Sequence, residues 1–172
     1  GLGLALLIEK AGFNVCGVDI FPSYVKSLND KTFKTKEPEY EELLKNSNNF
    51  KATTDLLEGL NHSDIIFIIV PTPNVGGERF YDHSILSNLL MKINKHKVIN
   101  KSLIIGCTVM PGYIRDIAKL LVKDCKNTTI NYNPEFIAQG EIVKGFKNPD
   151  IILIGTEDNS LGDKLKEIYK NI

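Results

Sequence analysis

Polar residues that could bind a ligand or move a proton follow several apolar runs of this sequence. In a sheet of parallel strands, ligands bind in the crevice beyond the carboxyl ends of the strands. Residues in that position are therefore the first candidates for chemistry, and their order along the chain predicts one shared ligand site. They are Asp19, the VPTP segment at residues 70–73, the pair Cys107 and Thr108, and the NPE segment at residues 133–135.

Asp19 has the spacing of a carboxylate that binds a ribose. Such an acid follows the second strand of a dinucleotide-binding fold, about 20 residues past a glycine turn, and accepts hydrogen bonds from ribose hydroxyls. Asp19 lies 18 residues after Gly1. Its negative charge would repel a ribose 2′-phosphate, so the spacing predicts NAD rather than NADP. The alternative is a structural role, in which Asp19 only caps the turn before Pro22.

The elements that must position these residues alternate between helix and strand. This alternation, with short connections, predicts an α/β fold: a Rossmann-type doubly wound parallel sheet with helices on both faces. Residues 74–79 are expected to form a glycine-containing loop. Helices are predicted over residues 2–10, 22–28, 37–44, 85–93, 112–122 and 161–172, with a further short one capped by Thr54 or Asp55. Strands are predicted over residues 15–20, 65–70, 103–105, 129–132 and 151–154.

Composition excludes several classes of partner. The 172 residues carry 21 Lys and Arg against 21 Asp and Glu, so no net charge favours nucleic acid or an anionic membrane. The longest apolar run, at residues 65–71, is too short to span a bilayer. Neither the three separated cysteines nor the three isolated histidines have the spacing of a metal site. Without a disulfide pattern or a secretory leader, we expect a cytoplasmic protein that binds no metal.

Several blocks of the sequence occur in the order typical of one enzyme family. LALLIEKAGFNVCGVDI comes first, followed by ATTD, SDIIFIIVPTP, TVMPG, NPEFIAQG and NPDIILIG. Together these blocks cover nearly the whole chain, and VPTP with NPEF is more specific than a glycine motif alone. The chain resembles the NAD-binding domain of nucleotide-sugar dehydrogenases of the UDP-glucose/GDP-mannose type.

The resemblance also concerns the start of the chain. It places Gly1 at the third glycine of the family's GxGxxG turn, where the helix start would approach a pyrophosphate. It implies that residues 1–172 are an NAD-binding Rossmann domain whose first strand is missing from the chain. The central helix and the sugar-binding domain would likewise lie outside these residues, and the full-length enzyme would be a homo-oligomer.

Roles at the strand ends follow from the same resemblance. Thr108 and Glu135 are the implied catalytic residues: Thr108 orients a water or contacts the nicotinamide, and Glu135 acts with water or a lysine as acid and base. The implied cofactor-binding residues are Gly1, Asp19, Val70, Pro71, Thr72, Pro73, Cys107, Thr108 and Gln139. The implied substrate-binding residues are Glu135, Phe136, Ile137, Ala138 and Gln139.

Some positions depart from the family pattern. Gly106 and Cys107 stand where the family has Glu-Ser, and Tyr24 stands where a Lys or Arg often supports the ribose. Gln139 replaces a second glutamate, and its amide keeps the hydrogen bonds but loses the charge. Cys107 is expected to be a small buried residue, because the family's catalytic thiol belongs to a GGxCxPKD segment that does not occur here.

The reaction that the resemblance implies is oxidation of the C6 alcohol of a nucleotide sugar to a carboxylate, with two NAD. A cysteine in a later domain would hold the intermediate aldehyde covalently. NPEF followed by a small residue and glycine is similar to the branch that acts on UDP-glucose, although GDP-mannose dehydrogenases also carry NPEF. Two other hypotheses remain: a β-hydroxyacid dehydrogenase of the 6-phosphogluconate type, and a non-catalytic nucleotide-binding module.

Overall fold

The computed structural model describes residues 1–77 and 80–172. Helices and strands alternate as predicted, and the ladders between the named strands are parallel, which confirms the α/β class. The helices are α1 (Leu2–Lys10), α2 (Pro22–Asn29), α3 (Tyr40–Asn46), α4 (Leu56–His62), α5 (Ser84–Lys95), α6 (Lys119–Leu121), α7 (Ile142–Lys147) and α8 (Asn159–Lys170). The strands are β1 (Val15–Val18), β2 (Phe50–Thr53), β3 (Ile65–Ile68), β4 (Ser102–Ile105) and β5 (Thr129–Tyr132).

The chain divides into two compact units, each with its own sheet. In the first unit β1 pairs with β2, and in the second unit β4 lies between β3 and β5. Each connection between paired strands contains a helix, as parallel strands require. The first unit consists of Gly1–His62, Phe136–Ile152 and Asp163–Ile172, and the second of Ser63–Glu135 and Leu153–Gly162.

The core of the first unit forms around α1. This helix is apolar around most of its circumference, and it buries Leu4, Leu6, Leu7 and Ile8. Leu6 belongs to a buried cluster with side chains from α2, α3 and β2. Burial of these aliphatic side chains, at about 25 cal/mol per Å² of apolar surface, is the main favourable term for this unit.

The core of the second unit forms around β4, whose Leu103, Ile104 and Ile105 are fully buried. A continuous apolar run is what a central parallel strand covered on both faces needs. Leu86, Leu90 and Ile93 of α5 recur at helical spacing and are also buried. The second unit therefore places the carboxyl ends of three adjacent parallel strands side by side.

The predicted strand over residues 151–154 is wrong. This segment makes no ladder, and Gly155 alone forms an antiparallel bridge, with Tyr132. Side chains hold the segment instead: Asn133 Nδ2 donates to the Leu153 carbonyl at 2.8 Å, and Thr156 Oγ1 donates to Asn131 Oδ1 at 2.8 Å. An Ile/Leu run favours a strand, but here the chain meets the neighbouring β5 only at Gly155, so residues 151–154 form no ladder.

Other element boundaries also differ from the predictions. The α3 helix begins at Tyr40 rather than at Glu37, because Glu39 adopts a left-handed φ of 67° that no helix contains. Residues 113–118 form a π-helical turn that continues into α6, in place of a regular helix over residues 112–122. The apolar runs at residues 15–20 and 65–70 end as strands at Val18 and Ile68.

Two short elements were not predicted, namely β2 and α7. β2 has four residues, and α7 has six with Gly145 among them, so neither shows a periodic pattern long enough to recognise. The helix α4 was predicted correctly with its cap, since Asp55 Oδ1 accepts a hydrogen bond from Leu57 N–H at 2.8 Å. The predicted loop at residues 74–79 includes Glu78 and Arg79, which lie outside the described residues.

Gly59 of α4 lies so close to β1 that a side chain would collide with it. A Cβ at Gly59 would be 2.2 Å from Val18 Cγ2. We expect Gly59→Ala to lower the free energy of unfolding by about 1–3 kcal/mol, the usual cost of overpacking. In a Val18→Ala background the same change should instead stabilise by about 0.5–1 kcal/mol, because alanine favours helix over glycine. Denaturant unfolding of the four proteins of this cycle measures both effects, and equal values in both backgrounds would contradict the contact.

Candidate functional site

Asp19 lies directly beyond β1, at the carboxyl end of that strand. Its N–H donates to the Thr53 carbonyl at 3.1 Å, so the backbone is fixed beside β2. One carboxylate oxygen, Oδ1, accepts a hydrogen bond from Phe21 N–H at 3.0 Å and thereby caps the turn before α2. Within residues 1–77 and 80–172, nothing donates to Oδ2. Asp19 therefore has the structural role of a cap and still offers one oxygen to a ligand.

Tyr24, in the first turns of α2, is close enough to Asp19 for the Asp19 carboxylate to affect the pKa of the Tyr24 phenol. Burial raises the pKa of the Tyr24 phenol, and the neighbouring Asp19 carboxylate raises it further. The ring is also fixed edge-on against Phe33, with 5.1 Å between ring centroids. The position where the family often has Lys or Arg thus holds a neutral hydroxyl, which can donate a hydrogen bond but supplies no positive charge.

Gly1 forms the N-terminal cap of α1. Its carbonyl accepts a hydrogen bond from Ala5 N–H at 3.0 Å, and no side chain caps the first turn. The first N–H groups of a helix lack partners within the helix, and together with the helix dipole they favour an anion. The start of α1 therefore fits a pyrophosphate, while the role of Gly1 itself stays a prediction.

In the second unit, backbone hydrogen bonds join the loops that follow β3, β4 and β5. Gly106 N–H donates to the Ile68 carbonyl at 2.9 Å, and Asn133 N–H donates to the Ile105 carbonyl at 2.9 Å. Glu135 N–H then donates to the Gly106 carbonyl at 3.2 Å. These bonds bring three of the predicted strand-end segments, at residues 70–73, 107–108 and 133–135, to one edge of the sheet.

Cys107 is buried at this edge, as predicted from the sequence. Burial raises the pKa of its thiol, the Val70 backbone partly offsets that shift by a hydrogen bond, and the charge of Glu135 raises the pKa again. A thiol with a raised pKa is protonated at neutral pH and is a poor nucleophile. The environment of Cys107 therefore fits a small packed residue better than a catalytic thiol.

Glu135 has the most unusual environment among the predicted site residues. Its Oε1 is buried, and no described residue forms a hydrogen bond with that oxygen. Burial raises the pKa of the carboxyl group. An orphaned buried oxygen is costly unless another group satisfies it, and a carboxyl with a raised pKa can exchange protons nearer neutral pH. Glu135 thus has the properties that proton transfer to or from a bound ligand requires.

Thr108 is exposed. The segment that follows it contacts His83, a residue that the sequence does not predict at the site. His83 Nε2 accepts a hydrogen bond from Met110 N–H at 3.4 Å, and the His83 ring lies 4.5 Å from that of Tyr113. Burial lowers the pKa of His83, which favours the neutral ring that this bond needs. The isolated position of His83 in the sequence gave no signal of this contact, because Met110 is 27 residues further on.

Residues 136–139, the predicted substrate contacts, differ in how open they are. Phe136, Ala138 and Gln139 are exposed, and the Phe136 side chain keeps 54% of its accessible surface. Ile137 is half-buried because it packs against α7, where a Cβ at Gly145 would be 3.2 Å from Ile137 Cγ2. The Ile137 side chain therefore contributes to packing in the first unit.

The predicted site residues divide between the two units. Gly1, Asp19, Phe136, Ile137, Ala138 and Gln139 belong to the first unit, and Val70, Pro71, Thr72, Pro73, Cys107, Thr108 and Glu135 belong to the second. The part of the chain that the structure describes contains no group of three or more His, Cys, Asp or Glu side chains suited to a metal ion. In that same part, no helix has the length and apolar character needed to cross a membrane.

Several known proteins are similar to this chain in sequence or in structure. The chain is 33% identical to UDP-N-acetyl-D-mannosamine dehydrogenase of Methanocaldococcus jannaschii over 175 residues, a match that covers 99% of this chain and 40% of that protein. It is 30% identical to UDP-glucose 6-dehydrogenase AglM of Haloferax volcanii, over 98% of this chain and 41% of that protein. The crystal structure of a ternary complex of GDP-mannose dehydrogenase from Pseudomonas aeruginosa superimposes with a TM-score of 0.89 at 26% identity, covering 100% of this chain and 42% of that one.

This chain thus spans about two fifths of the length of the relatives that it matches. The fold is Rossmann-type α/β, as in the GDP-mannose dehydrogenase structure. A family model described as the UDP-glucose/GDP-mannose dehydrogenase family, NAD binding domain, matches residues 1–172. The chain therefore belongs to the UDP-glucose/GDP-mannose dehydrogenase family and is its NAD-binding domain.

Proposed function

We propose that this chain is the NAD-binding part of a nucleotide-sugar 6-dehydrogenase that oxidises the C6 alcohol of UDP-glucose to a carboxylate. The observation that carries the proposal is the Glu135 carboxyl group at the strand-end edge of the second unit, whose Oε1 is buried without a hydrogen-bond partner among the described residues. A dehydrogenase needs a group that exchanges protons at the reacting alcohol, and Glu135 combines that capacity with a place beyond parallel strands.

The first unit would bind the adenosine half of the cofactor. Asp19 Oδ2 would accept hydrogen bonds from the ribose hydroxyls, while Oδ1 keeps the turn before α2 in place. The start of α1 at Gly1 would hold the pyrophosphate through the N–H groups of its first turn, which have no partner within the helix. Gln139 would add an amide contact to the cofactor without a charge.

The second unit would align the nicotinamide and the reacting centre. Bound NAD supplies the hydride acceptor for each oxidation step. Val70, Pro71, Thr72 and Pro73 would lie against the cofactor, where the prolines fix the backbone. Thr108 would orient a water molecule, and Glu135 would take the proton of the substrate hydroxyl and return protons during hydrolysis of the acyl intermediate. Phe136 and Ala138 would contact the nucleotide sugar.

The length of the relatives favours a longer enzyme. Their matched region is about two fifths of each protein, and the catalytic cysteine implied by the family resemblance would come from outside residues 1–172. UDP-glucose is the proposed substrate because the NPEFIAQG block, with the small Ala138 and then Gly140 after NPEF, is similar to the branch that acts on UDP-glucose. The names of the relatives also include UDP-N-acetyl-D-mannosamine and GDP-mannose dehydrogenases, so those two nucleotide sugars are the competitors to test.

The test is NADH formation by the full-length protein with each of the three nucleotide sugars. We expect two NADH for each UDP-glucose consumed, followed at the absorbance of reduced cofactor, and no NADPH when NADP replaces NAD. Residues 1–172 expressed alone are the control and should give no turnover, because the proposed thiol is absent. NAD binding without NADH formation from any of the three sugars would support the non-catalytic alternative instead.

A further inference from the structure

Glu37 holds a turn that is distant from it in the sequence. Its Oε1 accepts a hydrogen bond from Gly140 N–H at 2.7 Å, across 103 positions of the chain. Both residues belong to the first unit. This single contact therefore ties the loop before α3 to the segment before α7.

The turn at Gly140 has a hydrogen-bond acceptor from outside the turn. Glu141 N–H donates to the Ala138 carbonyl at 3.2 Å, which closes a turn with Gln139 and Gly140 at its centre. Gly140 adopts a positive φ of 88°, and its own N–H takes no part in closing the turn. This N–H is exposed, so the Glu37 carboxylate competes with water for it and restrains the turn rather than filling a buried need.

The loop that carries Glu37 is held by its own side chains. Glu37 N–H donates to Thr35 Oγ1 at 3.1 Å, and Thr35 N–H donates to Glu41 Oε1 at 3.3 Å. Two residues after Glu37, Glu39 forms an ion pair with Lys147 at the end of α7. The segment from Gly140 to Lys147 is thus attached to the same loop at both ends. The second oxygen of Glu37, Oε2, is buried without a partner in the part of the chain that is described.

We propose that Glu37 is a positioning residue that keeps Gln139 in the conformation that binds NAD. The inference rests on the proposed function, in which Gln139 contacts the cofactor. When the bond to Gly140 is lost, the turn samples other conformations, and the apparent affinity falls in proportion to the fraction of molecules that remain competent. The hydrogen-bond acceptor at Glu37 matters in this account, and its negative charge does not.

Three substitutions at Glu37 separate these contributions in the full-length protein. Glu37→Ala removes the acceptor, and Glu37→Asp keeps the charge but is one methylene too short to reach Gly140. Both should weaken NAD binding about tenfold, on the scale of one net hydrogen bond. Glu37→Gln keeps an acceptor at the same reach and should bind NAD within about twofold of the unmodified protein. Glu39→Gln is the matched control, because it breaks the ion pair with Lys147 and leaves Gly140 bonded.

Titration calorimetry with NAD and hydrogen exchange at the Gly140 amide are the two measurements. The expected pattern is weaker binding and faster exchange in the Ala and Asp variants, with both properties preserved in the Gln variant and the Glu39→Gln control. Unchanged NAD affinity in Glu37→Asp, or a loss in Glu37→Gln as large as in Glu37→Asp, would overturn the inference. If the unmodified protein binds no NAD, the proposed function fails, whereas the exchange rate still reports whether Glu37 holds the turn.

Discussion

Replacing Asp19 with alanine is expected to weaken NAD binding by about 1–3 kcal/mol, roughly fivefold to 150-fold. Asp19 Oδ2 has no partner among the described residues, so it is available to accept from both ribose hydroxyls. Tyr24 nearby is a neutral phenol with a raised pKa, and it cannot replace the lost acceptor with a charge. Titration calorimetry of the full-length protein with NAD measures the effect.

Asp19 also caps the turn before α2, so a second variant must separate binding from folding. Asp19→Asn keeps an oxygen that can accept from Phe21 N–H and removes the charge. It should preserve the free energy of unfolding and reduce the preference for NAD over NADP, because repulsion of the 2′-phosphate is lost. Asp30→Asn, at the far end of the same helix, is the control and should change neither cofactor affinity. NAD affinity equal to that of the unmodified protein in Asp19→Ala would show that the ribose assignment is wrong.

Glu135→Gln is expected to reduce turnover roughly 10²- to 10⁴-fold, the usual contribution of a general acid or base. The amide preserves size and hydrogen-bonding capacity but cannot transfer the proton of the substrate hydroxyl. The free energy of unfolding at neutral pH should rise while turnover falls, because an amide is less costly to bury than a carboxylate. Steady-state kinetics and denaturant unfolding on the same samples test both directions. Glu157→Gln, an exposed glutamate of the same unit, should change neither turnover nor stability appreciably.

The pH dependence of Glu135 has a definite sign. Burial raises the pKa of the folded protein's Glu135 carboxyl above the ordinary value of 4.5. Between the two values the folded state binds more protons than the unfolded state, so the free energy of unfolding decreases as pH rises through the folded pKa. Turnover that needs the ionised carboxylate should fall as the pH drops through the same raised value. In acid, the free energy of unfolding of Glu135→Gln should no longer exceed that of the unmodified protein. The assignment would be contradicted if the turnover of Glu135→Gln decreased at low pH in the same way as that of the unmodified protein.

Local pattern was sufficient to predict the elements that have strong periodicity. The helix α1 and the strand β5 have the predicted bounds, because a nearly all-apolar helix and a compact β-branched segment admit few alternatives. The sequence pattern does not predict β2, because its FKAT segment has only four residues. Partly buried and exposed positions alternate only once within it. Residues 151–154 have strand composition without a strand partner, and sequence composition does not contain that information.

The ends of the strands predict which residues are candidates for catalysis or binding. They do not predict which other residues hold those segments in place. The rule that ligands bind beyond parallel strands is sufficient to select Asp19 and Glu135 from the sequence alone. Glu37 and His83 were missed because each contacts a backbone N–H far away in the sequence, at Gly140 and Met110 respectively. Such contacts depend on the tertiary fold and leave no spacing pattern in the chain.

Asn131 of β5 and Asn133, directly after that strand, are both buried. Their positions have a consequence for the behaviour of the protein in solution. β5 ends the order of strands in its sheet, and an edge strand with free backbone groups is a template on which another chain can add. Tyr132 exchanges both backbone hydrogen bonds with Gly155, at 2.8 Å each, and Asn131 and Asn133 hold the flanking residues through their side chains. The backbone bridge at Gly155, held on both sides by these two asparagines, thus occupies edge groups of β5 that another strand could otherwise use.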